Sequence, residues 1–384
     1  MAVRPALDRI GELLPRVRMR RDEIEAARCL PGDVASELRE TGVFSLSVPR
    51  VLGGQEAHPA EILDVIETVS AADGSTGWCT MVGIANNVAA GYMSESGARE
   101  VFADPDVPSA GIAAPAGAAA RVDGGVLVRG RWQFASGITH SDWVWAGCMV
   151  MENGRPRMTA DGPEIIHVCL PVKDVQIHDT WFVSGLSGTG SRDFSIEDAF
   201  VPEDRIFLLL DPSGHRQEPL YQLPPFGWFV SQAVTVSIGI ARAALDEIAE
   251  LAQSRIPSMS RDVLADRPVA QIEVARAEAQ LGSARAYLYE TVAELWDVVT
   301  AGGQPTPRQF ASNRIACANA AETAATVTRT VSVLAGGSAV FASSSLHRHS
   351  RDADALAHHF SVSPHTWEDA GRVLLGRPPA SVAF

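Results

Sequence analysis

Three textures of hydrophobic patterning follow one another along the chain. From Pro5 to about Asp104 apolar residues recur at helical spacing. Leu30, Val34 and Leu38 sit four apart, with Gly42 placed to close that helix, and Ile62, Leu63, Val65, Ile66 and Val69 mark a second apolar face. The run Asp73-Gly74-Ser75-Thr76-Gly77-Trp78 interrupts the pattern and predicts a new helix capped by Ser or Thr. From about Ala110 to Asp211 the period drops to two. Val126, Val128, Trp132 and Phe134 alternate with Arg129, Arg131 and Gln133, behind the hairpin signal Asp123-Gly124-Gly125. Trp143 to Val150 and Ile165 to Leu170 read as buried strands, the second stopped by Pro171, and Phe194, Ile196 and Phe200 alternate before Pro202. After Pro224-Pro225 helical spacing returns. Ile240, Ala244, Leu245, Ile248, Leu251 and Ala252 form one stripe, and Ile272, Ala275, Ala279, Leu288, Val292 and Leu295 a longer one. Residues 308–335 and 351–375 predict two further helices. The order predicts a mainly α protein with a central β domain: a helical domain over 1–109, a β barrel or sandwich over 110–215, and a four-helix bundle over 216–384.

Charge and composition then narrow the partners. Lys+Arg is 32 against Asp+Glu 46, a formal net charge of -14. So acidic a surface repels phosphate backbones and anionic bilayers, and neither nucleic acid nor membrane is expected as a partner. The single lysine, Lys173, lies in Pro171-Val172-Lys173-Asp174 with no glycine-rich loop before it. That excludes a phosphate-binding loop ending in Gly-Lys-Ser/Thr and a pyridoxal Schiff base. Met1 to Glu25 is charged and lacks an apolar core, and there is no run of roughly 18 uncharged apolar residues, so neither a signal peptide nor a membrane span is expected. The five cysteines, Cys29, Cys79, Cys148, Cys169 and Cys317, are scattered without a CxxC. They predict reduced thiols in a cytoplasmic protein.

Several site chemistries fail on context. Gly185-Leu186-Ser187-Gly188-Thr189 approaches a nucleophile elbow, but its fifth residue is Thr and its surroundings are strand-rich. His347, His349, His358, His359 and His365 crowd the C-terminal part, yet no HExxH is present. Adjacent histidines on one helix, such as His358 and His359, would point about 100° apart, so no metal site is expected. Ser187-Gly188-Thr189-Gly190-Ser191-Arg192 is glycine-rich without being GxGxxG. It reads as a turn between strands, whose small residues would let backbone N–H groups approach a cofactor.

The α-β-α order, Trp132-Gln133-Phe134-Ala135-Ser136-Gly137, Leu186-Ser187-Gly188-Thr189-Gly190-Ser191, Glu197-Asp198-Ala199-Phe200-Val201-Pro202 and the late Arg351-Asp352-Ala353 together resemble the acyl-CoA dehydrogenase superfamily over nearly the whole chain. The resemblance implies a flavin wedged between β domain and bundle, and a tetramer. In the commonest dehydrogenases a glutamate stands nine residues after that arginine and removes a substrate proton. Phe360 stands there in this chain and has no lone pair to take one. Glu368 lies eight residues further on, and Glu290 on another helix remains a conceivable base.

The flavin-dependent monooxygenase branch is similar in more respects. Its phenol and steroid-ring hydroxylases carry Ser-Gly-x-x-His-x-x-Trp, here Ser136-Gly137-Ile138-Thr139-His140-Ser141-Asp142-Trp143, and a histidine eight residues after the arginine, here His359. The stretch Ala370-Gly371-Arg372-Val373-Leu374-Leu375-Gly376 follows in the same order. These enzymes use reduced flavin (FMNH2 or FADH2) supplied by a separate reductase and form a C4a-hydroperoxide. The resemblance therefore implies the oxygenase component of a two-component monooxygenase acting on an aromatic or other secondary-metabolite substrate. It makes Ser136 and His359 the catalytic pair: a hydroxyl donor at the flavin edge, and a base suited by histidine's ordinary pKa of about 6.5. Trp132, Ser136, Thr189, Gly190 and Ser191 would line the flavin, with Arg261 and Gln271 at its phosphate end from a neighbouring subunit. Trp78, Asn86 and Phe360 would face substrate. Ala85 and Asn86 occupy the place of a second, substrate-orienting histidine in the phenol-type enzymes. Long apolar helices such as 268–300 imply a homotetramer joined through the bundles. The remaining alternatives are an acyl-CoA dehydrogenase-type oxidoreductase and a non-catalytic oligomeric scaffold.

Overall fold

The computed structural model describes residues 3–380 except 161, 212, 213 and 215, so the expected boundary at 215 falls outside the described residues. Six helices form the N-terminal region: α1 (Val3–Met19), α2 (Arg21–Ala27), α3 (Gly32–Glu40), α4 (Pro59–Ala72), α5 (Gly74–Asn87) and α6 (Glu95–Val101). Leu30 lies before α3, and Gly42 follows it in a left-handed conformation. Every residue of α5 is buried. Its glycines make that possible, since a Cβ on Gly77 would lie 2.1 Å from Ser70 Oγ and one on Gly83 2.5 Å from the Phe44 ring. The cap of α5 is Asp73 and not the expected Ser or Thr. Its carboxylate accepts from the Thr76 N–H at 2.7 Å and the Thr76 hydroxyl at 2.8 Å, placing negative charge at the positive helix start.

The β region holds β1 (Ser109–Val122), β2 (Gly125–Ala135), β3 (Trp143–Glu152), β4 (Arg155–Pro156), β5 (Met158–Thr159), β6 (Gly162–Pro163), β7 (Ile165–Pro171), β8 (Gln176–His178), β9 (Arg192–Pro202) and β10 (Ile206–Phe207). One sheet runs β10-β7-β3-β1-β2-β9-β8 with β4 on β3, and β5 pairs β6 apart from it. Only β1 and β3 run parallel among its neighbours. Ala119, Val128, Trp132, Val144, Ile166, Val168 and Phe194, from five strands, close on one core. The two-residue turn Asp123-Gly124 joins β1 to β2, as its sequence predicts.

Strict alternation fails at two bulges. Val128 opposes Ala199, but Gly130 opposes Ile196, and Asp198 takes φ +49°. The extra residue reverses the strand's faces, so Phe200 is half exposed and Val201 buried. A second register shift lies between Trp132 and Ala135, where Phe134 takes φ +67° and is turned outward, 63% exposed.

The C-terminal helices are α7 (Pro225–Ala252), α8 (Pro268–Thr300), α9 (Pro307–Ala335), α10 (Ser345–Ala357) and α11 (Pro364–Leu374). By length and composition α7 is apolar enough to span a bilayer, although no membrane span is expected from the sequence. It is buried among α4, α5, α8, α9 and α10 as the central helix of the fold. The N-terminal helices and the bundle thus share one core, with Ile62, Ile66 and Met81 in the same cluster as Ile238 and Ile240. The inward face of α8 is Ala270, Ala277, Leu281, Ala284, Leu288, Val292, Leu295 and Val299. Ile272, Ala275 and Ala279, expected in that stripe, face outward, because α8 carries apolar residues on two sides. The expected last helix is two helices. Ser363 is extended before Pro364, which takes the first position of α11. His358 ends α10, and His359 is extended (φ -64°, ψ 135°), so the two are not side by side on one helix.

Candidate active site

A ladder of buried hydroxyls stands where β2 ends. The Trp78 Nε1–H, from α5, donates to Ser136 Oγ at 2.8 Å. Ser136 Oγ lies 2.6 Å from Ser191 Oγ, which lies 2.7 Å from Thr189 Oγ1, and the Thr189 hydroxyl donates to Leu186 O at 2.8 Å. The two ends fix every proton between them. An indole N–H only donates and a carbonyl only accepts, so Ser136 donates to Ser191 and Ser191 to Thr189. What Ser136 has left to offer is a lone pair, not the proton the sequence reading assigned to it.

The turn bearing this ladder is held from α10. The Leu186 N–H donates to Asp352 Oδ1 at 2.6 Å, and Arg351 Nη1 donates to Ser184 O at 2.5 Å. Gly185 is needed for that approach, since its Cβ would lie 2.1 Å from Arg351 O. Gly190 adopts φ +55° and turns the chain into β9. Burial pushes the Asp352 carboxyl up to about 7, with Asp73 adding to the rise, against the Leu186 hydrogen bond. The Arg351-Asp352 pair thus serves as the clamp on the Ser187–Ser191 turn.

Trp78 joins the ladder to the bundle. Its ring meets that of His359 edge-on, with centroids 5.8 Å apart. His359 also lies 4.7 Å from Phe360 and 6.2 Å from Phe229, and Phe226 lies 5.8 Å from Phe360. Phe360, expected beside substrate, is 64% exposed at this aromatic wall. The His359 Nδ1 accepts from the Ser361 N–H at 3.4 Å and lies 2.6 Å from Ser361 Oγ. An accepting Nδ1 puts the ring proton on Nε2. Burial, helped by the charge of Arg314, lowers His359 to about 4. The imidazole is therefore neutral near pH 7, not poised at its ordinary value, and it presents an N–H on its free side.

Other expected residues do not join the site. Trp132 is fully buried in the β core, stacked 5.0 Å from Phe194 with its N–H on Gly147 O at 2.8 Å. Phe134, turned outward and edge-on to Trp181 at 6.2 Å, is the aromatic that faces out from this segment. Asn86 donates to Ser109 O at 3.2 Å and so anchors the start of β1. Arg261 is exposed between α7 and α8, and Gln271 donates to Ala265 O at 2.9 Å; neither is tied to the ladder within this chain. Glu290 is exposed on α8, and Glu368 pairs with His365 at 3.6 Å. No His, Cys, Asp and Glu cluster fit for a metal occurs among the described residues.

Sequence reasoning missed Ser361, Phe226, Phe229 and Arg314. The first three carry no motif. Arg314 does carry a signal: a cation on the helical stripe Ala311-Arg314-Ala318-Ala321, all of it buried.

The ladder fits a reduced flavin. Reduced flavin carries an N–H at N5 where oxidised flavin has a bare nitrogen, and Ser136 offers an acceptor. Comparison with known proteins agrees. The acyl-CoA dehydrogenase N-terminal domain profile matches residues 12–102, and the acyl-CoA dehydrogenase C-terminal domain profile matches residues 231–364. The chain is 34% identical to an indole-3-acetate monooxygenase of Acinetobacter baumannii over 91% of this chain and 88% of that one. It is 32% identical to the flavin-dependent monooxygenase oxygenase subunit HsaA of Rhodococcus jostii over 77% of this chain and 78% of that one. The crystal structure of 3-HSA hydroxylase from Rhodococcus sp. RHA1 superposes with a TM-score of 0.91 at 27% identity, covering 99% of both chains. With Ser136 and His359 bridged by Trp78 and a dehydrogenase glutamate replaced by Phe360, the chain belongs to the flavin-dependent monooxygenase branch of the acyl-CoA dehydrogenase superfamily.

Proposed function

We propose that the protein is the oxygenase component of a two-component monooxygenase that hydroxylates an aromatic substrate. The observation that carries this is the Ser136–Trp78–His359 connection, which sets a flavin-edge hydroxyl and a neutral imidazole on either side of one indole. Reduced flavin, supplied by a separate reductase, provides the electrons and the oxygen activation. One oxygen atom of O2 enters the ring and the other leaves as water. Ser136 and Ser191 orient the flavin edge through the directed ladder. Phe226, Phe229 and Phe360 offer apolar walls for a flat substrate, and the His359 Nε2–H can hold a substrate oxygen or nitrogen. Passing a proton from substrate to Nε2 requires the other tautomer, which the Ser361 hydroxyl can support because it can accept as well as donate.

A homotetramer is part of this reading. The exposed stripe Val269, Ile272, Ala275, Ala279 and Gly282 on α8 is small and apolar, as a helix–helix contact with another copy needs. Arg261 and Gln271 lie near the N-terminal end of α8 and would serve a flavin phosphate from a neighbouring subunit in such an assembly.

Anaerobic titration with reduced and oxidised FMN and FAD, followed by mixing with isotopically labelled O2 and indole-3-acetate or a phenol, tests the reading. Preference for reduced flavin and labelled oxygen in the product are expected. Immediate flavin reoxidation with no hydroxylated product from any aromatic would refute it.

A further inference from the structure

Arg314 is a buried cation with no acid paired to it among the described residues. It is 2% exposed on α9, beside the aromatic wall. The comparable Arg348, 7% exposed, is held by both Asp22 and Glu25. Arg314 has only neutral partners: Nη2 donates to Ser361 O at 2.6 Å and to Thr366 Oγ1 at 3.4 Å. Its Nε and Nη1 have no partner. Asp369 on α11 acts on Arg314 through its field, but its Oδ1 accepts from the Ala380 N–H at 2.6 Å. Trp228 Nε1 and Gln232 Oε1 on α7 and Asn313 Oδ1 on α9 are also buried without partners. An unpaired buried charge is strongly unfavourable, so a chain that keeps one needs something to meet it.

We propose that Arg314 is the anchor for the carboxylate of an aromatic substrate, which makes the substrate an aryl-acetate or similar aromatic monoacid. This rests on the monooxygenase reading above. Three features select that class. Phe226, Phe229, Phe360 and His359 form an aromatic surround, which suits a flat ring. The guanidinium keeps donors at Nε and Nη1 without partners, which a carboxylate can meet, and the charge of the buried Asp369, already acting on Arg314, disfavours a dianion. The anchor and the imidazole meet the same residue, Arg314 on the Ser361 carbonyl and His359 on its hydroxyl. A ring tethered by its acid at Arg314 is therefore presented to His359. The Phe226 ring lies 4.7 Å over the guanidinium and shields it. Phe226 sits in the first turn of α7, so rotation of its side chain exchanges a ring for the carboxylate.

The test is equilibrium binding, by quenching of tryptophan fluorescence at about neutral pH, of indole-3-acetate and of neutral indole-3-acetamide. Wild type should prefer the acid by about tenfold or more, and Arg314→Met should lower the acid-to-amide preference by about 10- to 100-fold, the worth of hydrogen bonds to a charged group. Arg314→Lys should retain part of the preference. Equal affinity of wild type for acid and amide would overturn the proposal, and so would an equal loss for both ligands in Arg314→Met. Should Arg314→Met fail to fold, the wild-type preference and Arg314→Lys decide. Binding needs no turnover, so an intact acid preference without hydroxylation counts only against the oxygenase reading.

Discussion

Two neighbouring serines are expected to lower the preference for reduced flavin by different routes when replaced, one by weakening the reduced form and the other by strengthening the oxidised form. In the ladder Trp78 → Ser136 → Ser191 → Thr189 → Leu186 O, the Ser136 proton is engaged by Ser191, at 2.6 Å. Ser136 can then accept from the N5–H of reduced flavin but has no proton for the bare N5 of oxidised flavin. Ser136→Ala removes that acceptor. A neutral hydrogen bond is worth about 1 kcal/mol, so the preference for reduced flavin should fall roughly fivefold. Ser191→Ala frees the Ser136 proton to point at N5, and oxidised flavin should gain by a similar factor. The same ladder predicts a stability difference. Ser136→Ala leaves the Trp78 N–H without its acceptor in a residue only 7% exposed, a cost of about 1–3 kcal/mol. In the double variant with Trp78→Phe no orphaned N–H remains. The two changes should therefore destabilise less together than their sum, by about 1 kcal/mol. Anaerobic binding of reduced and oxidised flavin, with unfolding of the three variants, measures both effects. A Ser191→Ala variant that binds oxidised flavin no better, or that loses reduced flavin as Ser136→Ala does, would refute the directed ladder, and strict additivity with Trp78→Phe would refute the Trp78–Ser136 bond.

His359→Ala should keep flavin binding but lower oxygen transfer by about 10²–10⁴-fold, with hydrogen peroxide released in place of product; loss of flavin binding would mark His359 as structural. Because burial lowers His359 to about 4, turnover should show no histidine limb between about pH 5 and 8, and a limb near 6.5 in a pH–rate profile would contradict that burial. Glu290→Gln should leave oxygenation unchanged, since Glu290 is exposed on α8, and a large loss of activity would revive the dehydrogenase base. His167, 4% exposed and lowered by burial to about 4, releases its proton on folding. Its contribution is complete above about pH 6.5 and is lost as pH falls toward 4, about 1.4 kcal/mol per pH unit, so His167→Gln should flatten acid unfolding across that window.

Where a sequence signal was local, the fold was legible; where two solutions share one period, it was not. Asp123-Gly124 predicts its hairpin because a two-residue turn demands those residues. Phe134 and Phe200 were misassigned because a bulge reverses every side chain after it, and no residue in the pattern marks which position is doubled. In α8 both the buried stripe and the exposed one have helical spacing, and only the neighbouring helices choose between them. The break before Pro364 was readable, but the apolar and polar spacing of 351–375 continues through it. Motifs single out Ser136, His359 and the Ser187–Ser191 turn, which the structure connects through Trp78, whereas Trp132, expected along the flavin, is held in the core by its neighbours. Gly117, whose Cβ would lie 2.1 Å from the indole, exists to make room for it. The protonation of His359 was not legible, since burial and the charge of Arg314 arise only when α9 packs beside the α10–α11 link.

The enclosure that depresses His359 also serves the chemistry assigned to it. An oxygen-transferring flavin site must keep stray protons and water from the reacting edge, and that requires low polarity around the imidazole. A histidine left at its ordinary pKa would itself be partly protonated at neutral pH and would bring a mobile proton to that edge. Held neutral, with Nδ1 fixed by Ser361, it offers one directed N–H and takes a proton only by changing tautomer. Such precision needs rigid support, and the support comes from segments far apart in sequence. Trp78 stands on a helix buried along its whole length, the hydroxyl turn is clamped by Arg351 and Asp352 from α10, and Ser361 is held through its carbonyl by Arg314 from α9. The clamp has its own anchor, since Arg348 and Arg351 both meet Glu25 of α2. The ladder hydroxyls on the β domain and the imidazole on the bundle are therefore set by backbone and buried side chains, and in the proposed reaction the aromatic wall between Phe226 and Phe360 is the part left to fit a substrate.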